Sequence, residues 1–289
     1  MPNKIEGAAK SQETLIINDP YIRISQADLT NQQELNKKLT KACKMGFFYL
    51  EMPEDCKPLV DRAVDLGNSF YRQEEYTSLH LKGFSGYHDR EVFQVESLYL
   101  EKEYWSEKMP PHLRELSLKM EAIAIDLLKK TLSVCNIPEE QWERGSGGVT
   151  ESRGQMHFTF NHYRAEKKNV EGLGAHRDFG QITVLHINKK GLQARIEGVW
   201  QEVLPVEGYF VINFGRALET LVNDPTQLTA AWHRVPPVDD RISLGIFADN
   251  NNDTLIYQRQ EDGTLYDTGD TYGKYLKNSF AEYYPDDDN

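Results

Sequence analysis

Three side chains able to bind a metal stand in order along the chain: His176, Asp178 and, far downstream, His233. In an extended strand side chains alternate between faces, so residues two apart point the same way. His176 and Asp178 are therefore expected to project together from one strand, with His233 arriving from a second. Two imidazoles and one carboxylate on one face suit a divalent iron and leave other coordination positions open to reactants. Beyond His233 the same spacing recurs in Arg241 and Ser243. These would offer a guanidinium and a hydroxyl to an anion beside the metal. A His-x-Asp pair alone is a weak signal, and a lone His233 reads as a packed or solvated histidine. The ordered set carries the inference.

The elements that must position these groups are mostly strands. From about Gln155 to Tyr257 short apolar runs alternate with turn glycines, the pattern of a sandwich or barrel. In HFTFNHYR, His157, Thr159, Asn161 and Tyr163 share one face, and Phe158, Phe160 and His162 share the other. ITVLHI, GVWQEVLPV and GYFVINFG read as further strands. The expected fold is mainly β with flanking helices. Its core is a double-stranded β-helix (a cupin-like jelly roll), which gathers ligands from separate strands at one open mouth.

Ahead of that core, a helix should start near Thr30, present Leu35, Leu39 and Ala42 at helical spacing, and stop at Gly46. FFYLEM should be a strand, and Pro58 to Tyr71 a helix burying Leu59, Ala63, Leu66 and Phe70. The longest helix should open at Pro110 and Pro111. Its buried stripe would be Leu113, Leu116, Met120, Ile123, Leu127 and Leu128, with Lys119, Glu121 and Lys129 outside. Gly83 and Gly86 mark loops, and His88 with Asp89 reads as a solvated turn rather than a metal site. Residues 1–13 read as a disordered lead, ETLIINDPYIRIS as a short strand broken by Pro20, and PDDDN as a solvated acidic tail.

The 289 residues fit one domain: a mostly helical region over 1–150, the metal-bearing core over 151–257, and a C-terminal helix with the tail over 258–289. A net charge of −12 argues against nucleic-acid or anionic-membrane partners. No apolar run approaches the roughly 18 residues of a membrane span, and the polar N-terminus lacks the apolar stretch of a secretory signal. Cys43, Cys56 and Cys135 are scattered and odd in number, as expected of reduced thiols in a cytoplasmic protein. The expected partner is a small molecule, and oligomeric state is not legible.

The stretches GAHRDFGQITVLHINKKGLQARIEGVWQEVLPVEGYFVINFGRALETLVND and AAWHRVPPVDDRISLGIFADNN, with LNKKLTKACKMGFFYLEMP nearer the N-terminus, carry a wider likeness. The chain resembles the iron(II)- and 2-oxoglutarate-dependent dioxygenases, in the branch that includes isopenicillin N synthase and the plant flavonoid and hormone oxygenases. The resemblance implies Fe(II), 2-oxoglutarate and O2 as cofactor and cosubstrates. It implies His176, Asp178 and His233 as ligands, Arg241 and Ser243 on the far carboxylate, and Asn161 and Tyr163 on an Asn-x-Tyr motif beside 2-oxoglutarate. By parity His157 and Thr159 should face the pocket, and Arg90 is a candidate substrate contact. TGDTYGKYLKNSFAEYY looks like the family's terminal helix, with Tyr272, Tyr275, Phe280 and Tyr283 as packing rather than a lid.

The implied reaction converts 2-oxoglutarate to succinate and CO2 while a substrate C–H bond is oxidised, by hydroxylation, desaturation or cyclisation. Three arginines depart from the family pattern: Arg177 between the ligands, Arg216 after Gly215, and Arg164 after the Asn-x-Tyr motif. Arg177 should point away from its neighbours, to solvent or an ion pair. With Arg90 and Arg216 it nevertheless permits an anionic substrate. Two other readings stand beside the main one: an isopenicillin N synthase-like oxidase that takes its electrons from substrate, and a non-catalytic ligand-binding protein. An intact triad argues against the latter. The bland alternative for Arg241 is an ion pair with Asp239 or Asp240.

Overall fold

The computed structural model describes residues 21–71 and 73–283. The expected lead, most of the first strand and the acidic tail lie outside these residues, as do the side chains of Phe70, Phe280 and Tyr283. In chain order the first half forms β1 (Arg23–Ile24), α1 (Gln26–Thr30), α2 (Gln32–Met45), β2 (Phe47–Glu51), α3 (Lys57–Phe70), α4 (Glu74–Thr77), β3 (Gly86–Asp89), β4 (Val95–Glu101), α5 (Trp105–Lys108), α6 (Pro111–Val134) and α7 (Trp142–Gly145). The second half forms β5 (Gln155–Tyr163), β6 (Leu173–His176), β7 (Ile182–Ile187), β8 (Gln193–Ile196), β9 (Val199–Glu202), β10 (Tyr209–Phe214), α8 (Arg216–Val222), β11 (His233–Val235), β12 (Arg241–Asp249), β13 (Leu255–Arg259), β14 (Leu265–Thr271) and α9 (Tyr272–Tyr283).

The strands build a jelly roll from an eight-stranded sheet, ordered β1-β2-β10-β7-β12-β5-β4-β3, and a four-stranded sheet, ordered β6-β11-β8-β9. Alternation along β12 shows how the large sheet is two-faced. Ile242, Leu244, Ile246 and Ala248 enter the core shared with α2, α3 and α6. The intervening Arg241, Ser243, Gly245, Phe247 and Asp249 take the opposite face, toward the small sheet. Phe158 and Phe160 of β5 also pack on the helices, whereas Tyr163 joins the cluster between the sheets. Each such fully buried apolar side chain contributes about 1.5–3 kcal/mol. The helices thus seal the outer face and leave the inner one for polar groups.

Local signals account for the elements near the site. Asn31 caps α2 by accepting from the Glu34 backbone, and Gly46 ends it at φ +89°, where a Cβ would lie 2.8 Å from Ala231. Several expectations need correction. Glu121 is not outside: it is 4% exposed and pairs with Lys102 at 2.6 Å, while Ile123 is only partly buried. His88 and Asp89 are not a solvated turn but lie on β3, at the sheet edge. There Asp89 takes a fork from Arg164 at 2.8 and 2.5 Å, so Arg164 stitches β5 to β3. The mostly helical first 150 residues also supply β1 to β4, which complete both ends of the large sheet. The strand-rich part also extends past Tyr257, since β14 pairs with β13. Its half-buried sequence LYDTGDT has no apolar alternation to betray it. Among the described residues no helix is long and apolar enough to cross a membrane.

Candidate metal centre

β6 and β11 pair antiparallel with His176 directly opposite His233, and the two imidazole centroids are 4.2 Å apart. Asp178 departs from the expected geometry. β6 ends at His176, so Asp178 lies in the turn leading to β7. That turn is held by α8, whose first backbone N–H groups donate to it: Arg216 to the Asp178 carbonyl at 2.8 Å, and Ala217 to the Phe179 and Gly180 carbonyls at 3.0 Å. Gly215 allows this contact, because a Cβ there would sit 2.1 Å from the Gly180 carbonyl oxygen. The carboxylate still reaches the centre. Asp178 Oδ1 lies 3.4 Å from His233 Nε2 and 4.0 Å from His176 Nε2. One ligand atom from each of the three residues falls within 4.8 Å of the others.

The surrounding hydrogen bonds orient these ligands. His176 Nδ1 donates to the Gly174 carbonyl at 2.8 Å and His233 Nδ1 to the Ala231 carbonyl at 3.1 Å. A carbonyl can only accept, so both Nδ1 atoms carry the proton and both Nε2 lone pairs face the centre. Asp178 Oδ2 accepts from Thr183 Oγ1 at 2.7 Å and Asn213 Nδ2 at 3.3 Å, leaving Oδ1 for a cation. Burial pushes the Asp178 carboxyl up, but His233, His176 and Thr183 outweigh it and hold the group well below the usual carboxylate range. Burial, then the neighbouring His233, pushes His176 down to about 4. Burial also opposes charge on His233, yet Asp178 beside it raises its pKa. A buried anion flanked by two nitrogen lone pairs is a fitting donor set for a divalent iron.

Arg241 is 2% exposed, yet its Nε and Nη1 have no hydrogen-bond partner. The guanidinium lies over the Tyr163 ring at 4.6 Å, and burial lowers its pKa against the pull of Tyr163 and Glu202. The expected alternative does not hold: Asp239 pairs with Lys168, and Asp240 with His162. A buried cation whose N–H groups lack an acceptor fits an anion supplied from outside the chain. Ser243, 3% exposed, stands on the same face of β12.

Register across the large sheet relates anchor to centre. One tier runs Glu101, His157, Phe247, Thr183 and Asn213, ending at the two residues that hold Asp178. The next has Gly245 between Thr159 and Leu185, the third has Ser243 between Asn161 and Ile187, and the fourth has Arg241 opposite Tyr163. At Gly245 β12 itself puts no side chain on the inner face, where Leu185 approaches from β7. A cavity of about 270 Å³ opens beside His176 and Asp178, lined also by Arg90, His157, Asn161, Asp249 and Leu276. Asn161 Oδ1 accepts from Ser97 at 2.6 Å. Thr159 is 1% exposed with an unpartnered hydroxyl and is not among the cavity's lining residues. Arg90 lies over the Phe84 ring at 5.7 Å. Arg177 lines the cavity but is tied to Glu219, and Arg216 lies outside the lining, over Tyr275. Tyr272 is fully buried beside Ala217 and Ile256, a packing role, whereas Leu276 of the same helix faces the cavity.

Sequence reasoning missed Thr183, Asn213, Glu219 and Asp249. Thr183 and Asn213 were detectable as polar residues at inward positions of otherwise apolar strands. Asp249 continues the inward parity of β12, and His157 Nε2 stands 3.4 Å from its Oδ2. Burial, then the charge of Asp178, pushes the Asp249 carboxyl up to about 7.

Comparison with known proteins agrees with this geometry. Residues 154–250 match the model of the 2OG-Fe(II) oxygenase superfamily. Thebaine 6-O-demethylase of Papaver somniferum is 27% identical over 79% of this chain, which spans 64% of that enzyme's length. Scopoletin 8-hydroxylase of Arabidopsis thaliana is 26% identical over 80% of this chain and 70% of its own. A full-length Neurospora crassa protein, solved in complex with alpha-KG, superposes with a TM-score of 0.76 at 18% identity, covering 93% of this chain and 98% of that one. Residues 154–250, which carry the triad, thus match the 2OG-Fe(II) oxygenase superfamily, and the rest of the chain shares the fold of its solved relatives.

Proposed function

We propose that His176, Asp178 and His233 hold the iron, and that Arg241 and Ser243 grip the distal carboxylate of 2-oxoglutarate. Asn161 and Tyr163 flank that cosubstrate. When bound, the iron with O2 and 2-oxoglutarate supplies oxidation of a substrate C–H bond, one oxygen atom leaving in succinate as CO2 is released. The protein's own residues do the rest. His176 and His233 keep their Nδ1 protons on carbonyl oxygens and offer Nε2, and Thr183 and Asn213 aim the Asp178 carboxylate. Arg241 fixes which end of a diacid enters the deep tier. One observation carries the reading: a buried guanidinium with two unpartnered nitrogens on the strand face that leads to the triad.

The substrate sits in the cavity of about 270 Å³. That is below the roughly 300–1,000 Å³ of drug-sized ligand sites, which supports a small metabolite, as in specialised metabolism. Arg90 is its contact for an anionic group, and His157 on the opposite wall is a hydrogen-bond partner. Thr159 lies beneath as support. We read the described residues as one unit, since β1 to β4 and β5 to β12 share a sheet. Three free, buried thiols suit a reducing, cytoplasmic setting. The test is succinate release from 2-oxoglutarate with Fe(II), scanned over small organic acids. Stimulation by one of them, lost in Arg241→Met and with raised substrate KM in Arg90→Ala, supports the reading. Substrate oxidation that proceeds without 2-oxoglutarate would instead favour an oxidase drawing electrons from its substrate.

A further inference from the structure

Asp178 poses a positioning problem. His176 and His233 are fixed relative to each other by the β6–β11 ladder, but Asp178 lies beyond the end of β6 and has no ladder bond to β11. The ladder is itself irregular between His233 and Val235. The spacing between the Asp178 turn and the His233 segment must come from elsewhere.

Arg177, between the two ligands, reaches α8: its Nη1 donates to Glu219 Oε2 at 2.7 Å. The other oxygen of the same carboxylate holds the approach to His233. Glu219 Oε1 accepts from the Ala230 backbone N–H at 3.0 Å and from Thr229 Oγ1 at 3.2 Å. The next residue, Ala231, provides the carbonyl that orients the His233 ring. The Arg177 guanidinium also lies over the Trp232 indole, 5.3 Å from its centroid. α8 carries Glu219 and, through its first backbone N–H groups, supports Asp178. One carboxylate therefore joins both ligand-bearing segments.

We propose that Glu219 and Arg177 are positioning residues that set the distance between the Asp178 turn and His233 before the metal arrives. This rests on the triad being the metal centre. The Arg177 and Glu219 side chains are 21% and 25% exposed, so the pair is neither a solvated surface contact nor a fully buried one. Its value lies in restricting two segments that would otherwise be ordered at the cost of metal affinity. Groups that orient ligands in this way affect metal affinity by about 10–100-fold when removed.

The test uses metal-free protein titrated with Mn(II) by calorimetry, with the electron paramagnetic resonance of the bound ion as a second readout. Glu219→Ala and Arg177→Met should each weaken Mn(II) binding by roughly tenfold or more and broaden the resonance. The double variant should be no weaker than Glu219→Ala to within about threefold, because the two act as one unit. Glu219→Gln keeps an acceptor for Ala230 but loses the ionic contact with Arg177. It should fall between wild type and Glu219→Ala, which keeps the proposal testable if the alanine variant folds poorly. Variants with lowered Tm but wild-type Mn(II) affinity and resonance would overturn the clamp and leave the metal centre intact. Failure of the wild type to bind Mn(II) would overturn the metal-centre reading itself.

Discussion

Arg241→Met should have opposite effects on stability and on cosubstrate binding. In the protein alone the guanidinium is 2% exposed, with Nε and Nη1 unpartnered. Exchanging a buried charge for a well-packed apolar side chain of similar length is neutral or stabilising, by about 1–4 kcal/mol. The lost stacking on Tyr163 offsets about 0.5–2 kcal/mol of that. The net expectation for metal-free protein is a Tm unchanged or raised by a few degrees, at about 2–4 °C per kcal/mol for a large domain. Binding moves the other way. Two hydrogen bonds from a charged donor contribute about 1.5–3 kcal/mol each. Their loss raises the 2-oxoglutarate KM by roughly 10²-fold to 10⁴-fold. Arg241→Lys keeps the charge but not the fork and should lie between. The assays are calorimetric unfolding of the metal-free protein and the 2-oxoglutarate dependence of succinate release. A Tm drop of many degrees with KM unchanged would refute the reasoning, since Arg241 would then be structural.

Other outcomes follow from the same geometry. Asp178→Ala removes the only anion of the triad, and metal content measured after reconstitution with Fe(II) should fall to background, whereas Asp239→Ala should leave it unchanged. Gly215→Ala places a Cβ 2.1 Å from the Gly180 carbonyl. It should lower stability by about 2 kcal/mol or more, read by urea unfolding; a smaller loss would mean that α8 is not seated on the Asp178 turn. Asp249 has a pKa raised by burial from 3.8 to about 7. A carboxyl raised in the folded state adds stability below the unfolded value, lost as pH rises through the folded one. Metal-free Asp249→Asn should therefore be more stable than wild type at pH 8, by several degrees in Tm, with the gain vanishing near pH 4. An equal gain at both pH values would show that burial of charge at Asp249 is not the cause.

Legibility followed from how local the physics was. β5 and β12 were readable because their two faces meet different environments. Phe158 and Ile242 face helices, while Asn161 and Ser243 face the site, and a period of two records that difference in sequence. α2 was readable from Leu35, Leu39 and the left-handed stop at Gly46. His176, Asp178 and His233 converge as their order in the sequence suggests, but strand parity does not account for Asp178. Parity predicted a strand position, whereas the residue lies in a turn whose backbone is bonded to α8, and no local pattern reports a contact made across the fold. Glu121 failed for a related cause: its burial depends on Lys102, which arrives from a separate segment. β14 was missed because its half-buried sequence LYDTGDT has no apolar alternation to show.

Several buried groups of this chain are unfavourable when each is taken alone. The Asp178 carboxylate is removed from water, and it stays ionised only because Thr183, Asn213 and the neighbouring imidazoles face it. Arg241 keeps its charge with two nitrogens, Nε and Nη1, that bond to nothing in the chain. Burial and the charge of Asp178 push the Asp249 carboxyl up to about 7, so it resists the ionisation that an exposed aspartate would complete well below neutral pH. A stable fold has no reason to keep such groups buried near one another, since apolar residues of similar volume would be neutral or better. They become consistent when the ligands are counted. On the proposed reading a divalent cation at the triad would balance Asp178 and, being near, would also favour ionised Asp249. A dicarboxylate reaching from that cation past Gly245 would then satisfy Arg241. The same ions that complete the chemistry therefore remove the destabilisation, so metal with 2-oxoglutarate should raise Tm more than the sum of either added alone. Strict additivity of the two shifts would mean that the triad and Arg241 serve separate ligands.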